Sequence, residues 1–78
     1  MQLSVIIVNY NVKNLLRDCL LSVQKAAHSM DTEIIVVDNA SSDGSLEMLK
    51  AEFKDVKIIV NTQNLGFSKA NNQGIAQA

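Results

Sequence analysis

Four consecutive branched aliphatic residues, Ile34, Ile35, Val36 and Val37, stop abruptly on Asp38 and the small, mostly polar run Asn39-Ala40-Ser41-Ser42-Asp43-Gly44-Ser45. An unbroken branched run presents no polar face to water, so it needs cover on both sides, the situation of a parallel strand in an α/β sheet. The Asn/Ser/Asp/Gly cluster that follows reads as a turn leading into a helix. Asp38 then stands at the carboxyl end of a central strand. In open α/β sheets that rim is where ligands bind, so a carboxylate among small hydrogen-bonding groups forms a candidate polar-ligand loop. A capped turn with a purely structural role satisfies the same pattern.

The flanking segments repeat this alternation. Residues 3–9 carry Val5-Ile6-Ile7-Val8, a first strand of the kind buried on both faces, with Tyr10-Asn11 marking its exit. Asn11 is placed to cap a helix in which Leu15, Leu16, Cys19, Leu20, Val23, Ala26 and Ala27 recur at helical spacing, ending near residues 28–30. His28 falls at the end of that helix and reads as a surface residue. After the second strand and its loop, residues 45–53 place Leu46, Leu49 and Phe53 on one helical stripe, capped by Asp43 or Ser42. Residues 56–60 form a third strand whose Lys57 suits an edge position. The amide-rich segment 61–78 is a mediocre helix former, since Gly74 alone costs about 1 kcal/mol relative to Ala. Packing must hold it, with Phe67, Ala70 and Gly74 along one side and Asn71 near its start. An amide-rich helix start beside a strand rim suits a nucleotide, because free N–H groups accept phosphate and side-chain amides read base or ribose edges.

The resulting order, β-α-β-α-β-α with short connections, predicts right-handed crossovers and a parallel three-stranded sheet in the order 3-2-1, half of a doubly wound nucleotide-binding fold. Residues 1–78 form one domain. A chain of 78 residues buries roughly 60–65% of its unfolded surface, so its stability is marginal without a partner. The net charge of −1 and the scattered seven Lys and Arg argue against nucleic acid as a partner. Runs such as Val5 to Val8 are too short to span a bilayer and no leader pattern precedes them, which makes a cytoplasmic location the expectation. Cys19 is the single cysteine, leaving no internal disulfide or cysteine-based metal site, and its place on the apolar stripe predicts a packed thiol. Neither G-x-G-x-x-G nor G-x-x-x-x-G-K-[ST] occurs, and the single His, placed at the far end of a helix, leaves no Ser/His/Asp set. Three polar rims remain, residues 9–11, 38–45 and 64–72, all at carboxyl ends of strands and expected to converge on one crevice.

Those three stretches, Ser4 to Asn11, Val36 to Ser45 and Asn64 to Ile75, in this order and spacing, resemble the opening of a family 2 glycosyltransferase, nearest to the rhamnosyltransferase-like bacterial members. The resemblance implies a GT-A fold with a Rossmann-like domain and transfer of a sugar from a nucleotide diphosphosugar, UDP- or dTDP-linked, to an acceptor with inversion, as in cell-surface polysaccharide biosynthesis. It also implies nucleotide-binding roles: Val8 and Tyr10 flanking the base, Asp38 and Asn39 facing the base or ribose, and Asn71 beside the pocket. Many relatives carry Asp at the position of Asn39. The amide still accepts the imide N–H of a pyrimidine and adds a donor. Many carry Arg at the position of Asn71, so here that position holds no cation to set against the diphosphate.

Members of the family also hold a divalent cation, Mg or Mn, through an Asp-x-Asp motif on a later strand and carry a general base further on. Neither is found before residue 78, which predicts that this chain is the nucleotide-binding half, inactive alone, with no catalytic or metal residue of its own. Two other readings stay open: a non-catalytic α/β module that binds a nucleotide or a protein, and a half-domain that assembles with a second copy. Strand one, with no lysine or proline to blunt it, predicts a homodimer through antiparallel pairing of that strand.

Overall fold

The computed structural model describes residues 2–26 and 31–78. The elements are β1 (Gln2–Asn9), α1 (Lys13–Ala26), β2 (Asp31–Asn39), α2 (Ser45–Glu52), β3 (Lys57–Asn61) and α3 (Phe67–Gln77). All three strands are parallel in the order β1-β2-β3, which is the predicted sheet. Ala27 and His28, expected at the end of the first helix, lie outside the described residues.

Register aligns the apolar runs and their polar ends together. Val5 to Val8 lie beside Ile34 to Val37, Asn9 beside Asp38, and Asn39 beside Asn61. Because strand side chains alternate in direction, each apolar run splits between two layers. Val36, with Ile7, Ile34 and Ile58, packs under Leu16 and Leu20 of α1 and Met48 and Leu49 of α2, closed at one end by Phe53 and Val56. On the opposite face α3 lies across β1 and β2, its Gly74 backbone against Ile6 and Val37. Ile35, Val36 and Val37 are buried on both sides of the sheet, as a branched run requires.

Several local expectations change. β1 is only half-buried over Val5 to Val8: Ile7 packs toward α1 and α2 and Ile6 toward α3, but one edge of the strand has no strand neighbour. Helix α1 buries only Leu16 and Leu20, whereas Leu15 is 70% exposed and Cys19 is exposed. The expected apolar stripe is wider than the surface available: a three-stranded sheet beside a two-turn helix reaches only one i, i+4 line of α1. The thiol is therefore not packed. On α3, Ala70 and Gly74 face the sheet as expected but Phe67, the first residue of the helix and about two turns from the close contact at Gly74, stands 69% exposed. Val56 is a buried plug ahead of β3, which begins at Lys57. At the amino end of the sheet Lys57 Nζ reaches Glu33 Oε2 at 2.6 Å and the Ser4 hydroxyl donates to Glu33 Oε1 at 3.1 Å, so one carboxylate ties the three strands.

Candidate functional site

The carboxyl end of the sheet holds a buried polar cluster. Asn9 is fully buried, and Asp38 and Asn39 are nearly so. A buried carboxylate requires hydrogen-bond partners, and Asp38 has them: Asn9 Nδ2 donates to Oδ1 at 2.8 Å and the Ser41 N–H donates to Oδ2 at 3.1 Å. The Ser41 hydroxyl accepts from Asn9 Nδ2 at 3.1 Å and from the Asn11 N–H at 2.9 Å. Asn11 Oδ1 in turn accepts the Ser42 N–H at 2.7 Å. The loops after β1 and β2 are thus laced to each other. Asn11 spends its amide on that neighbouring loop and does not cap α1.

The cap of α1 comes instead from across the lacing. Asp43 Oδ2 accepts the Lys13 N–H at 2.9 Å, while its Oδ1 accepts the Ser45 N–H at 3.1 Å and the Ser45 hydroxyl. One carboxylate therefore serves the amino ends of two helices, and the N-cap of α2 itself is Gly44 at φ 86°. The Ser45 hydroxyl foremost, with the N–H groups of Lys13 and Ser45, holds the Asp43 carboxyl below the usual carboxylate range.

Asn39 points the other way. Strand alternation sends it to the α3 side, where Oδ1 accepts from Asn61 Nδ2 at 2.9 Å and Nδ2 donates to the Gly66 carbonyl at 3.2 Å. Asn61 and Gln73 exchange reciprocal amide bonds at 2.8 and 3.0 Å, fixing α3 to β3. Val8 lies in register with Val37 and shares the α3 layer, Asn71 is half-buried on α3, and Tyr10 projects past the end of β1, 49% exposed. Asp38 and Asn39 thus sit back to back rather than side by side. The three polar rims meet through them, but on two faces of the sheet edge.

Two shallow grooves border this edge on the α1/α2 side. One, of about 460 Å³, is lined by Lys13, Ser41, Ser42, Gly44 and Glu47 among others, and the second, of about 480 Å³, by Asn11 to Leu15 and Asp43. Val8, Tyr10, Asp38, Asn39 and Asn71 line neither.

Two members of the cluster escaped the sequence analysis as individual site residues. Asn9 Oδ1 is buried without a hydrogen-bond partner; the other such side-chain atom among the described residues, Thr32 Oγ1, lies at the far end of the sheet. Ser41 accepts two hydrogen bonds, which leaves its hydroxyl hydrogen uncommitted to them. The unpaired acceptor is closed off from solvent, while half-buried Ser41 keeps a donor at the rim. A polar residue closing an apolar strand was the available signal for Asn9, while its pairing with Asp38 depends on register.

Among the described residues no three His, Cys, Asp or Glu side chains gather as metal ligands, and both oxygens of Asp38 and of Asp43 are taken by the chain's own donors. These residues do not fit a divalent cation. No described helix is long and apolar enough to cross a membrane.

Residues 4–78 match the family described as glycosyl transferase family 2. The chain belongs to that family. It is 38% identical over 80 aligned residues to the glycosyltransferase YfnE of Bacillus subtilis (strain 168), a match that covers 100% of this chain and 20% of that protein. The poly(ribitol-phosphate) beta-glucosyltransferase of Bacillus spizizenii is 39% identical over 70 residues, covering 85% of this chain and 11% of that one. Among solved structures, the mannosyltransferase PcManGT of Pyrobaculum calidifontis, in complex with GDP-Man and Mn2+, superimposes with a TM-score of 0.81 at 26% identity over 97% of this chain and 24% of its own. The architecture is accordingly the β-α-β-α-β-α portion of a GT-A fold, and the chain spans from 11% to 26% of the length of the relatives it matches.

Proposed function

We propose that this family 2 chain forms the nucleotide-binding part of a glycosyltransferase that moves a sugar from a nucleotide diphosphosugar to an acceptor with inversion. The observation that carries the reading is the meeting of the loops after β1 and β2 at the carboxyl end of a parallel sheet, where Asn9, Asp38 and Ser41 are hydrogen-bonded to one another and Tyr10 stands exposed beside them. A side-chain amide accepts an imide N–H and donates to its neighbouring carbonyl, the edge that uracil, thymine and guanine each present. Tyr10 supplies an aromatic face for the ring, Val8 an apolar neighbour, and Asn39 and Asn71 amides on the α3 side for ribose or base. In this reading Asp38 acts by orienting Asn9 and Ser41.

Family membership and the nucleotide-sugar complex of the mannosyltransferase neighbour support the donor class. UDP or dTDP is the specific donor nucleotide we propose. The poly(ribitol-phosphate) glucosyltransferase relative supports a role in surface-polymer synthesis, and a cytoplasmic location belongs to the same proposal. The divalent cation implied by the family resemblance, and seen as Mn2+ in the neighbour, finds no ligand set among the described residues, so nothing in this reading passes through it.

Titration by NMR with UDP, dTDP, GDP and ATP tests the proposal. The expected outcome is a millimolar dissociation constant, roughly −4 kcal/mol, with concerted shifts at Tyr10, Asp38, Asn39 and Asn71 and at Asn9 and Ser41. A response to ATP equal to that for UDP, or shifts scattered over the surface, would refute it. The 78-residue chain alone is expected to transfer no sugar. Turnover of a nucleotide sugar by the purified chain overturns that part.

A further inference from the structure

Tyr10 is half exposed, so core packing does not hold its ring. Its backbone is nevertheless fixed on both sides. Asn9 before it is buried and bonded to Asp38 and Ser41, and Asn11 after it donates its N–H to the Ser41 hydroxyl and accepts the Ser42 N–H on its side chain. Both sides of this clasp use left-handed backbone: Asn11 at φ 51° and Ala40, immediately before Ser41, at φ 63°. Asn tolerates that region, whereas Ala is held there only where its surroundings impose it, and such conformations concentrate at binding sites. The turn at Ala40 directs Ser41 back across β2 to the exit of β1.

We propose that Asn11 and Ser41 are positioning residues: through the clasp they set the Tyr10 ring at the sheet rim for contact with the base of a nucleoside diphosphate. This rests on the nucleotide reading above for its ligand, and on the hydrogen-bonded clasp alone for its mechanics. Preorganisation of an exposed ring raises affinity by removing the cost of ordering it on binding.

The test uses a spectroscopic accident of the chain. Tyr10 is its one tyrosine and there is no tryptophan, so intrinsic fluorescence reports Tyr10 alone. Anisotropy of that emission is measured for the 78-residue chain and for Ser41→Ala, Ser41→Thr and Asn11→Gly, which keeps the left-handed backbone and removes the amide. UDP and GDP affinities are measured by NMR on the same proteins and on Tyr10→Ala, with far-UV circular dichroism to verify the fold. Ser41→Ala and Asn11→Gly should lower the anisotropy, and Ser41→Thr should retain it. Affinity should fall about tenfold in Tyr10→Ala and about three- to tenfold in Ser41→Ala, with the double variant no weaker than Tyr10→Ala alone. A merely structural Ser41 would instead give additive losses. Unchanged anisotropy in a folded Ser41→Ala overturns the clasp, and additive losses overturn the positioning role. A clasp that behaves as stated while neither UDP nor GDP binds the unsubstituted chain overturns the nucleotide reading instead.

Discussion

Gly74 shows how a single residue decides the position of a helix. A Cβ built there would collide with Cγ2 of Ile6 and crowd Val37, so the absence of a side chain is what lets α3 lie against β1 and β2. Helix propensity alone favours Gly74→Ala by about 1 kcal/mol, but overpacking costs typically about 1–3 kcal/mol. We expect a net loss of up to about 2 kcal/mol, read as a lowered urea midpoint, and less than additive damage when Ile6→Ala opens the space. Asp43 acts at the same scale through charge. Its carboxyl is held below the usual range in the folded chain, so the stabilisation it supplies is fully present above the unfolded value near about pH 4 and is lost as pH falls through the lower folded value. Glu33 adds in the same direction, held low by Lys57 first and Ser4 second. Asp43→Asn should therefore lower the urea midpoint at pH 7, with the gap to the unsubstituted protein closing as pH falls through the lowered folded value. A constant gap across that range would show that Asp43 contributes through shape and not charge.

At the scale of elements, α1 separates apolar character from burial. Leu16 and Leu20 sit in the core while Leu15 and Cys19, equally apolar by composition, face outward. Leu20→Ala should cost about 2–5 kcal/mol, enough to unfold a chain this small, and Leu15→Ala should stay within about 0.5 kcal/mol. Cys19 in the native protein should react with a thiol reagent at close to the rate of the unfolded chain. A protected thiol would mean that α1 is rotated from the orientation described. The loops carry as much structure as the helices here. Asp43, bonded to the first residue of α1 and to Ser45 of α2, makes the two helix starts one unit with the clasp around Ser41.

For the whole molecule the consequence lies at the sheet edges. β3 carries Lys57, which is paired with Glu33, whereas β1 presents Val5 to Val8 half-buried with Leu3 exposed and no charged side chain among them. An apolar edge of that kind is a template for another strand. The 78-residue chain in isolation is accordingly expected to form a homodimer through antiparallel pairing of β1, seen as a doubled mass by light scattering and abolished by Ile6→Pro, which removes a ladder donor. A stable monomer at high concentration, or association that persists in Ile6→Pro, would exclude pairing through β1. α3 exposes Phe67 and Ile75, and a dimer joined through that helix is the result to distinguish.

The element order, the parallel sheet and the placement of Asp38 at a strand end were legible in the sequence, because branched runs that stop on polar turns constrain the backbone locally. The family was legible for a related reason: three short motifs in register carry their meaning in residue identity and spacing. What faces what was not. Whether Leu15 or Leu16 is buried depends on how much surface the sheet and α2 offer to α1, and whether Phe67 is covered depends on how far the sheet reaches under the start of α3. The pairing of Asn9 with Asp38, the turning of Asn39 to the opposite side and the sharing of Asp43 between two helices each join residues about thirty positions apart or split neighbours across a strand. Register and strand alternation decide such contacts, and these exist only once the chain has folded.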